Sequence, residues 1–151
     1  VWNHLALSED TPESVFLADF PDVPDDWRNQ RISSRWEVVL EVRQAVQRAL
    51  EKKRSSEQED QIGSSQEADV TVTASGNTHA LLDDYRDQLE TFFIVSRAEL
   101  VEGEVSGDDI VDVDVRVADG EKCPRCWNYW IEPDSGNDVC ARCRNVLATL
   151  D

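Results

Sequence analysis

Four cysteines near the end of the chain have a spacing that suits metal binding. They form two Cys-x-x-Cys pairs separated by thirteen residues, and the chain has no other cysteine. Two residues between cysteines let a loop fold back until both sulfurs face one point, and a tetrahedral zinc ion accepts four thiolates at about 2.3 Å. An arginine inside each pair offsets part of the thiolate charge. The sequence therefore predicts one structural zinc ion held by Cys123, Cys126, Cys140 and Cys143.

The sequence is also compatible with two other roles for these cysteines. The four sulfurs could form disulfides, or one pair could be a redox-active dithiol. A disulfide between cysteines only three positions apart is strained, and nothing in the composition indicates secretion. A redox dithiol would explain one pair and leave the other unexplained. The spacing favours structural zinc over both alternatives.

Cationic and aromatic side chains beside the cysteines could contact a nucleic acid. Arg125, Arg142 and Arg144 could bind phosphates, or they could only balance the charge of the thiolates. Trp127 could stack on an unpaired base, an interaction worth roughly 1–3 kcal/mol, or it could only cover the zinc site. These four residues are the candidate nucleic-acid contacts. The acidic pairs elsewhere indicate turns, helix caps and solvated surface, so no catalytic residue is predicted.

The charge of the chain is large and uneven. The 151 residues carry a formal net charge of −17, which argues against a polyanionic partner at long range. Residues 28–54 nevertheless carry an excess of basic side chains, residues 1–27 and 55–121 are acidic, and residues 122–151 are balanced. No apolar run approaches the roughly 20 residues of a membrane span. We expect a cytoplasmic protein with no membrane partner and, since methionine is absent even at position 1, a piece of a longer chain.

The periodicity of the apolar residues predicts the helices and strands that position the candidate site residues. A long amphipathic helix is predicted from about residue 27 to residue 54, with Asp25 and Asp26 as candidate caps. Its apolar positions are Ile32, Trp36, Val39, Val46 and Leu50, with a gap at Arg43. The prolines before it indicate a loop-rich lead-in.

The remaining pattern predicts a small sheet and one shorter helix. Residues 68–74 and 110–117 alternate as strands do, and residues 91–96 have the pattern of a buried strand. Residues 100–101 could form another short strand. A helix capped by Asn77 or Thr78 is expected to continue through Leu89. The fold class is therefore α+β, with a zinc-finger module following the sheet.

This order of elements predicts three segments. Residues 1–61 form the lead-in and the long basic helix, residues 62–119 form a small α/β segment that joins the helix to the module, and residues 120–151 form the zinc-finger module.

Several blocks of the sequence match one known family. The sharpest is Gly-Glu-Lys-Cys-Pro-Arg-Cys-Trp at 120–127; the others lie at 13–21, 36–43, 49–51, 62–65, 67–68, 93–96 and 140–143. Together they resemble the C-terminal part of bacterial-type isoleucyl-tRNA synthetase, at the end of its anticodon-binding region. Phe16 stands where the family pattern has a histidine, and Gln66, on a turn, stands where it has an apolar residue.

The resemblance implies a function for this region. It would help to hold the anticodon arm of isoleucine tRNA and would support the ATP-dependent attachment of isoleucine, working with the remainder of the synthetase chain. The His-x-Gly-His and Lys-Met-Ser-Lys-Ser signatures expected of such an enzyme are absent here. ATP and isoleucine are therefore expected to bind outside this fragment, which would be inactive alone.

Two other classes of protein compete with that interpretation. Glycosylases of the formamidopyrimidine type end in a similar four-cysteine finger that binds DNA, but they are expected to begin with a proline nucleophile, and this chain begins with Val1-Trp2. A zinc ribbon that binds only protein would suit the acidic surface. Binding assays with isoleucine tRNA, other tRNAs and duplex DNA would separate the three.

Overall fold

The computed structural model describes residues 2, 11–56, 60–131 and 138–149. The helices are α1 (Gln30–Arg54), α2 (Gly76–Asp83), α3 (Leu89–Phe93) and α4 (Ala141–Leu147). The strands are β1 (Ala68–Ala74), β2 (Arg97–Glu102), β3 (Asp112–Val117), β4 (Glu121–Lys122) and β5 (Tyr129–Trp130). Among the described helices none is long and apolar enough to cross a membrane. The predicted mixture of helices and small sheets is confirmed.

Strand β1 is the centre of the main sheet. It pairs in parallel with β2 and antiparallel with β3, so the strand order is β2-β1-β3. Its alternate residues Ala68, Val70, Val72 and Ala74 are buried, because successive side chains on a strand point to opposite faces. The predicted strand at 68–74 is confirmed at both ends.

Helix α1 begins later than its sequence suggests. Asp25 and Asp26 lie in a short 3-10 turn, and the cap is Asn29, whose side-chain oxygen accepts a hydrogen bond from the backbone N–H of Ile32 at 3.2 Å. A side-chain acceptor at this position satisfies one of the free N–H groups of the first turn. The prediction that the helix starts near Trp27 with an aspartate cap is therefore wrong by about one turn.

Only the second half of α1 buries a continuous apolar stripe. Val39, Val42, Val46 and Leu50 are buried, whereas Ile32 is 49% exposed. The gap predicted at Arg43 is filled by Val42, which completes the helical spacing. An amphipathic helix along the whole predicted length is therefore not confirmed.

The buried strand predicted at 91–96 is wrong. Residues up to Phe93 belong to α3, and Ile94 ends that helix with a left-handed backbone at φ 59°. The turn leaves Phe93 and Val95 buried and Ile94 half-exposed. A short apolar run has the same composition in a buried strand and in a buried helix, so periodicity alone does not separate them.

The single helix predicted to end at Leu89 is also wrong. Helix α2 ends at Asp83, a 3-10 turn follows at Arg86–Gln88, and α3 begins at Leu89. Ser75, rather than Asn77 or Thr78, occupies the cap position. The chain thus crosses from β1 to β2 through several short helical pieces. The short strand predicted at 100–101 lies within the longer β2.

One apolar cluster joins α1 to the sheet and to the crossover. Its buried members are Val42, Val46, Leu50, Ile62, Ala68, Val70, Val72, Ala74, Leu82, Leu89, Phe93, Val95, Leu100 and Val111. We call this cluster and its supporting elements the core. The first two segments of the predicted division share it, while the division into three stays a prediction.

Candidate metal centre

The four cysteines come from two short structural units that follow the core. Cys123 and Cys126 lie in the turn between β4 and β5, which pair antiparallel. Cys140 occupies the cap position of α4, and Cys143 lies within that helix. A ribbon turn and a helix start thus bring two sequence-distant pairs together. We call residues 120–131 and 138–149 the cysteine module.

The arrangement of the sulfurs fits one tetrahedral metal ion. All four Sγ atoms lie within 4.8 Å of one another, and Cys126 Sγ is 3.7 Å from Cys140 Sγ. Four Zn–S bonds of about 2.3 Å at tetrahedral angles separate the sulfurs by about 3.8 Å. All four are free thiols, and within the described part of the chain they form the one group of this kind. The predicted ligand cluster can hold a metal ion such as zinc.

Backbone hydrogen bonds shape the first pair into a tight loop. The Cys123 N–H donates to the Asn128 carbonyl at 3.0 Å, and the Trp127 N–H donates to the Cys123 carbonyl at 2.8 Å. The Cys140 N–H donates to Cys123 Sγ at 3.4 Å. Trp127 has a left-handed backbone with φ 68°, which costs a non-glycine residue about 1–2 kcal/mol. The surrounding bonds must therefore hold this conformation in place.

The thiols differ in how readily they ionise. Burial raises the pKa of Cys123, but N–H groups of Cys126, Cys140 and Arg125 donate to its sulfur and bring the pKa down to about 6. Burial, together with hydrogen bonds from the neighbouring thiols, raises the pKa of Cys126 to about 12, although the Asn128 N–H that donates to its sulfur acts to lower it. Burial also raises the pKa of Cys140. Four thiolates therefore need a cation between them, which a divalent metal supplies.

The candidate nucleic-acid contacts are grouped around this centre. Arg125 and Arg142 are exposed and, with Cys126, Cys143 and Val146, line an open cavity of about 320 Å³. The Trp127 side chain is 60% exposed and is not among the residues that line this cavity. Arg144 is partly buried on α4. The structure thus brings two of the three arginines to one opening.

Sequence reasoning missed the residues that attach the module to the core. Gln66 donates from Nε2 to the Cys126 carbonyl at 3.1 Å and to Asn128 Oδ1 at 3.4 Å. Ser96 Oγ accepts a hydrogen bond from the Tyr129 N–H at 2.6 Å and donates to the Gln66 carbonyl at 2.5 Å. The one signal of this attachment in the sequence was that Gln66 departs from the family pattern.

A glycine lies where the chain passes from the core into the module. Gly120 has φ 101°, and a Cβ built on it would lie 2.0 Å from the Trp130 carbonyl oxygen. Both the backbone conformation and the close approach of β5 require a residue without a side chain.

The sequence is similar to those of isoleucine–tRNA ligases along nearly its whole length. The chain is 34% identical over 161 residues to the isoleucine–tRNA ligase of Natranaerobius thermophilus, an alignment that covers 99% of the chain. It is 36% identical over 155 residues to that of Aquifex aeolicus, again over 99% of the chain, and 38% identical over 153 residues to that of Thermotoga maritima, over 97%.

The chain is similar to the C-terminal region of bacterial isoleucine–tRNA ligases. The resemblance inferred from the matching sequence blocks is therefore confirmed. The chain spans only 17%, 16% and 16% of the lengths of these three ligases. No family model matches it. The similarity extends over the core as well as the cysteine module, and that breadth exceeds what a shared four-cysteine motif alone would give.

Proposed function

We propose that the chain is the tRNA-binding C-terminal part of an isoleucine–tRNA ligase and contains one structural zinc ion. The observation that carries this proposal is the similarity to isoleucine–tRNA ligases along 97–99% of the chain. The four-cysteine cluster supports the metal, because its sulfur separations suit zinc. The anticodon arm of isoleucine tRNA is the proposed partner, together with the remainder of the synthetase chain.

The exposed side chains of the cysteine module support an RNA partner. Arg125 and Arg142 flank one opening, where a phosphate would meet two planar cations. The exposed indole of Trp127 offers a face on which an unpaired base can stack. Arg144 adds a third cation on the same module. In this proposal zinc organises the surface and takes no part in a reaction.

The proposal assigns no chemistry to this chain. Activation of isoleucine with ATP would belong to the rest of the enzyme. His79, on α2, is the one histidine in the described residues, and His4 lies outside them. The chain therefore contributes binding and would show no activity alone.

The net charge determines how binding should respond to salt. Phosphate contacts release counterions, so each contact makes affinity fall as salt rises. A net charge of −17 also repels RNA at long range, and about 0.1 M salt screens that repulsion beyond about 10 Å. The two effects have opposite salt dependence. We expect weak binding with a shallower salt slope than a basic RNA-binding domain shows.

A binding titration with the zinc-loaded chain tests the proposal. Isoleucine tRNA, a non-cognate tRNA and duplex DNA would each be titrated at several salt concentrations. We expect the tightest binding to isoleucine tRNA, and we expect Arg125→Ala with Arg142→Ala to weaken it and flatten its salt slope. Equal binding to duplex DNA would favour the glycosylase-like alternative. Absence of binding to every nucleic acid would favour a module that binds only protein.

A further inference from the structure

Polar side chains of the core bind the cysteine module through hydrogen bonds. Among the module residues that the structure describes, none belongs to the buried apolar cluster. The attachment instead uses Gln66, in the 3-10 turn before β1, and Ser96, directly before β2. Both side chains are partly buried, and they are linked because Ser96 Oγ donates to the Gln66 carbonyl. Such hydrogen bonds fix direction more narrowly than apolar contacts do.

The hydrogen bonds of Gln66 and Ser96 reach the residues on both sides of Trp127. Gln66 Nε2 donates to the carbonyl of Cys126, which precedes Trp127, and to the side chain of Asn128, which follows it. Ser96 Oγ accepts from the N–H of Tyr129, one residue further on. Trp127 itself has an unfavourable left-handed backbone. The peptide groups around it are therefore fixed to the core while its indole stays 60% exposed.

The metal centre cannot supply this orientation alone. Bonds to the four sulfurs would fix the internal shape of the module, since every ligand belongs to it. They would not fix the module relative to the sheet, to which it is joined by the hydrogen bonds of Gln66 and Ser96 and by the ion pair of Lys122 with Glu67. We propose that Gln66 and Ser96 are positioning residues that hold Trp127 in the orientation it uses against an RNA base. This inference rests on the proposed RNA-binding role of the module.

Substitution of Gln66 separates orientation from metal binding. Gln66→Leu removes both amide donors and keeps a similar side-chain size, while Gln88→Leu is a matched control on the 3-10 turn at Arg86–Gln88, where the side chain is exposed. The full 151-residue chain would be labelled with ¹⁵N at tryptophan, and the Trp127 indole signal would be assigned from its loss in Trp127→Ala. Zinc content and urea unfolding would be measured alongside the heteronuclear NOE of that indole.

We expect Gln66→Leu to keep one zinc per chain, to lower the indole NOE of Trp127 and to weaken binding of isoleucine tRNA. Loss of one base stack corresponds to roughly 5- to 150-fold in affinity, and Gln66→Leu should reproduce most of the loss seen with Trp127→Ala. The double variant should bind no more weakly than Trp127→Ala alone, because coupled residues give non-additive losses. Gln88→Leu should change none of these quantities.

The outcomes distinguish this inference from the proposed function. If Trp127→Ala binds isoleucine tRNA normally, the proposed contact fails and the positioning role fails with it. If Trp127→Ala weakens binding but the loss with Gln66→Leu is additive, or the indole NOE is unchanged, the positioning role alone is overturned. Ser96→Ala provides the same readouts if Gln66→Leu does not fold, since it removes the acceptor of the Tyr129 N–H.

Discussion

The core and the cysteine module are stabilised by different means. The core buries valines, leucines, isoleucine and phenylalanine from a helix, a sheet and a crossover in one cluster. In the described part of the module, the buried residues are Cys123 and Cys143. A unit this small cannot bury enough apolar surface to fold unaided, and in the proposed function a metal ion takes the place of a core. The core is therefore specified by many apolar positions, whereas the cysteine module is specified by its four cysteines.

Removal of the metal is expected to have the largest effect. Binding of structural zinc contributes on the order of 10–16 kcal/mol in small zinc domains, and the module has little other stabilisation. A chelator should collapse the backbone amide signals of 121–131 and 138–149 while the signals of α1 and β1 persist. Cys143→Ser should reproduce this without a chelator. Loss of the β1 signals in either experiment would contradict the contrast between the two regions.

A substitution that leaves a cavity in the core should destabilise the core without releasing the metal. Leu82 is fully buried, and Leu→Ala at such positions costs about 2–5 kcal/mol of unfolding free energy. Leu82→Ala should lower the midpoint of urea unfolding and leave one zinc per chain. Leu40→Ala, at a site that is 47% exposed, is the matched control and should cost far less. A loss of zinc from folded Leu82→Ala would show that the regions depend on each other.

The proposed RNA contact gives a third prediction, with a smaller expected effect. Within a full synthetase that contains this chain, Trp127→Ala should reduce aminoacylation more than Arg116→Ala. Trp127 belongs to the module, whereas Arg116 lies on β3 of the core and pairs with Asp114 at 2.9 Å. The expected loss for Trp127→Ala corresponds to roughly 1–3 kcal/mol of stacking. Equal losses, with folding and zinc content unchanged, would remove Trp127 from the contact surface.

Glu67 interacts with groups of both regions, and its substitution has the smallest predicted effect. Its carboxylate accepts a hydrogen bond from the Gly63 N–H at 2.7 Å and lies 3.9 Å from Lys122 Nζ of β4. The Gly63 N–H, and then Lys122, hold the pKa of Glu67 below its ordinary value of 4.5 despite partial burial. The stabilisation is therefore present above pH 4.5 and is lost as the pH falls through the folded-state pKa.

Glu67→Gln should accordingly reduce the free energy of unfolding by about 1 kcal/mol or less at pH 7. The difference from the original protein should shrink at low pH, once the pH has fallen below the folded-state pKa and the carboxyl is protonated in both states. Urea titrations at the two pH values measure it, with the exposed Glu99 of β2, substituted as Glu99→Gln, for comparison. A difference that grows at low pH would rule out this linkage.

The sequence predicted the ligand cluster better than the elements around it. A metal site depends on residue type and spacing, which are local, so all four cysteines were found together. Strand β1 was predicted at both ends because its alternation is complete. The run at 91–96 was misassigned because α3 depends on a left-handed turn at Ile94, a conformation that tertiary packing selects. Gln66 was noted as a departure from the family pattern, but its role was missed because its partners lie some sixty positions away.

The strand order of the main sheet has a consequence for synthesis on the ribosome. Strand β1 is central in the sheet but first in the chain, so both of its edges stay unpaired until β2 and β3 have been made. At about 5–20 residues per second, the end of β3 follows the end of β1 by roughly 2–9 s. An unpaired strand rich in valine and threonine invites association with other chains during that interval. Helix α1 is made earlier and packs against β1, so it can shield one face of the nascent strand.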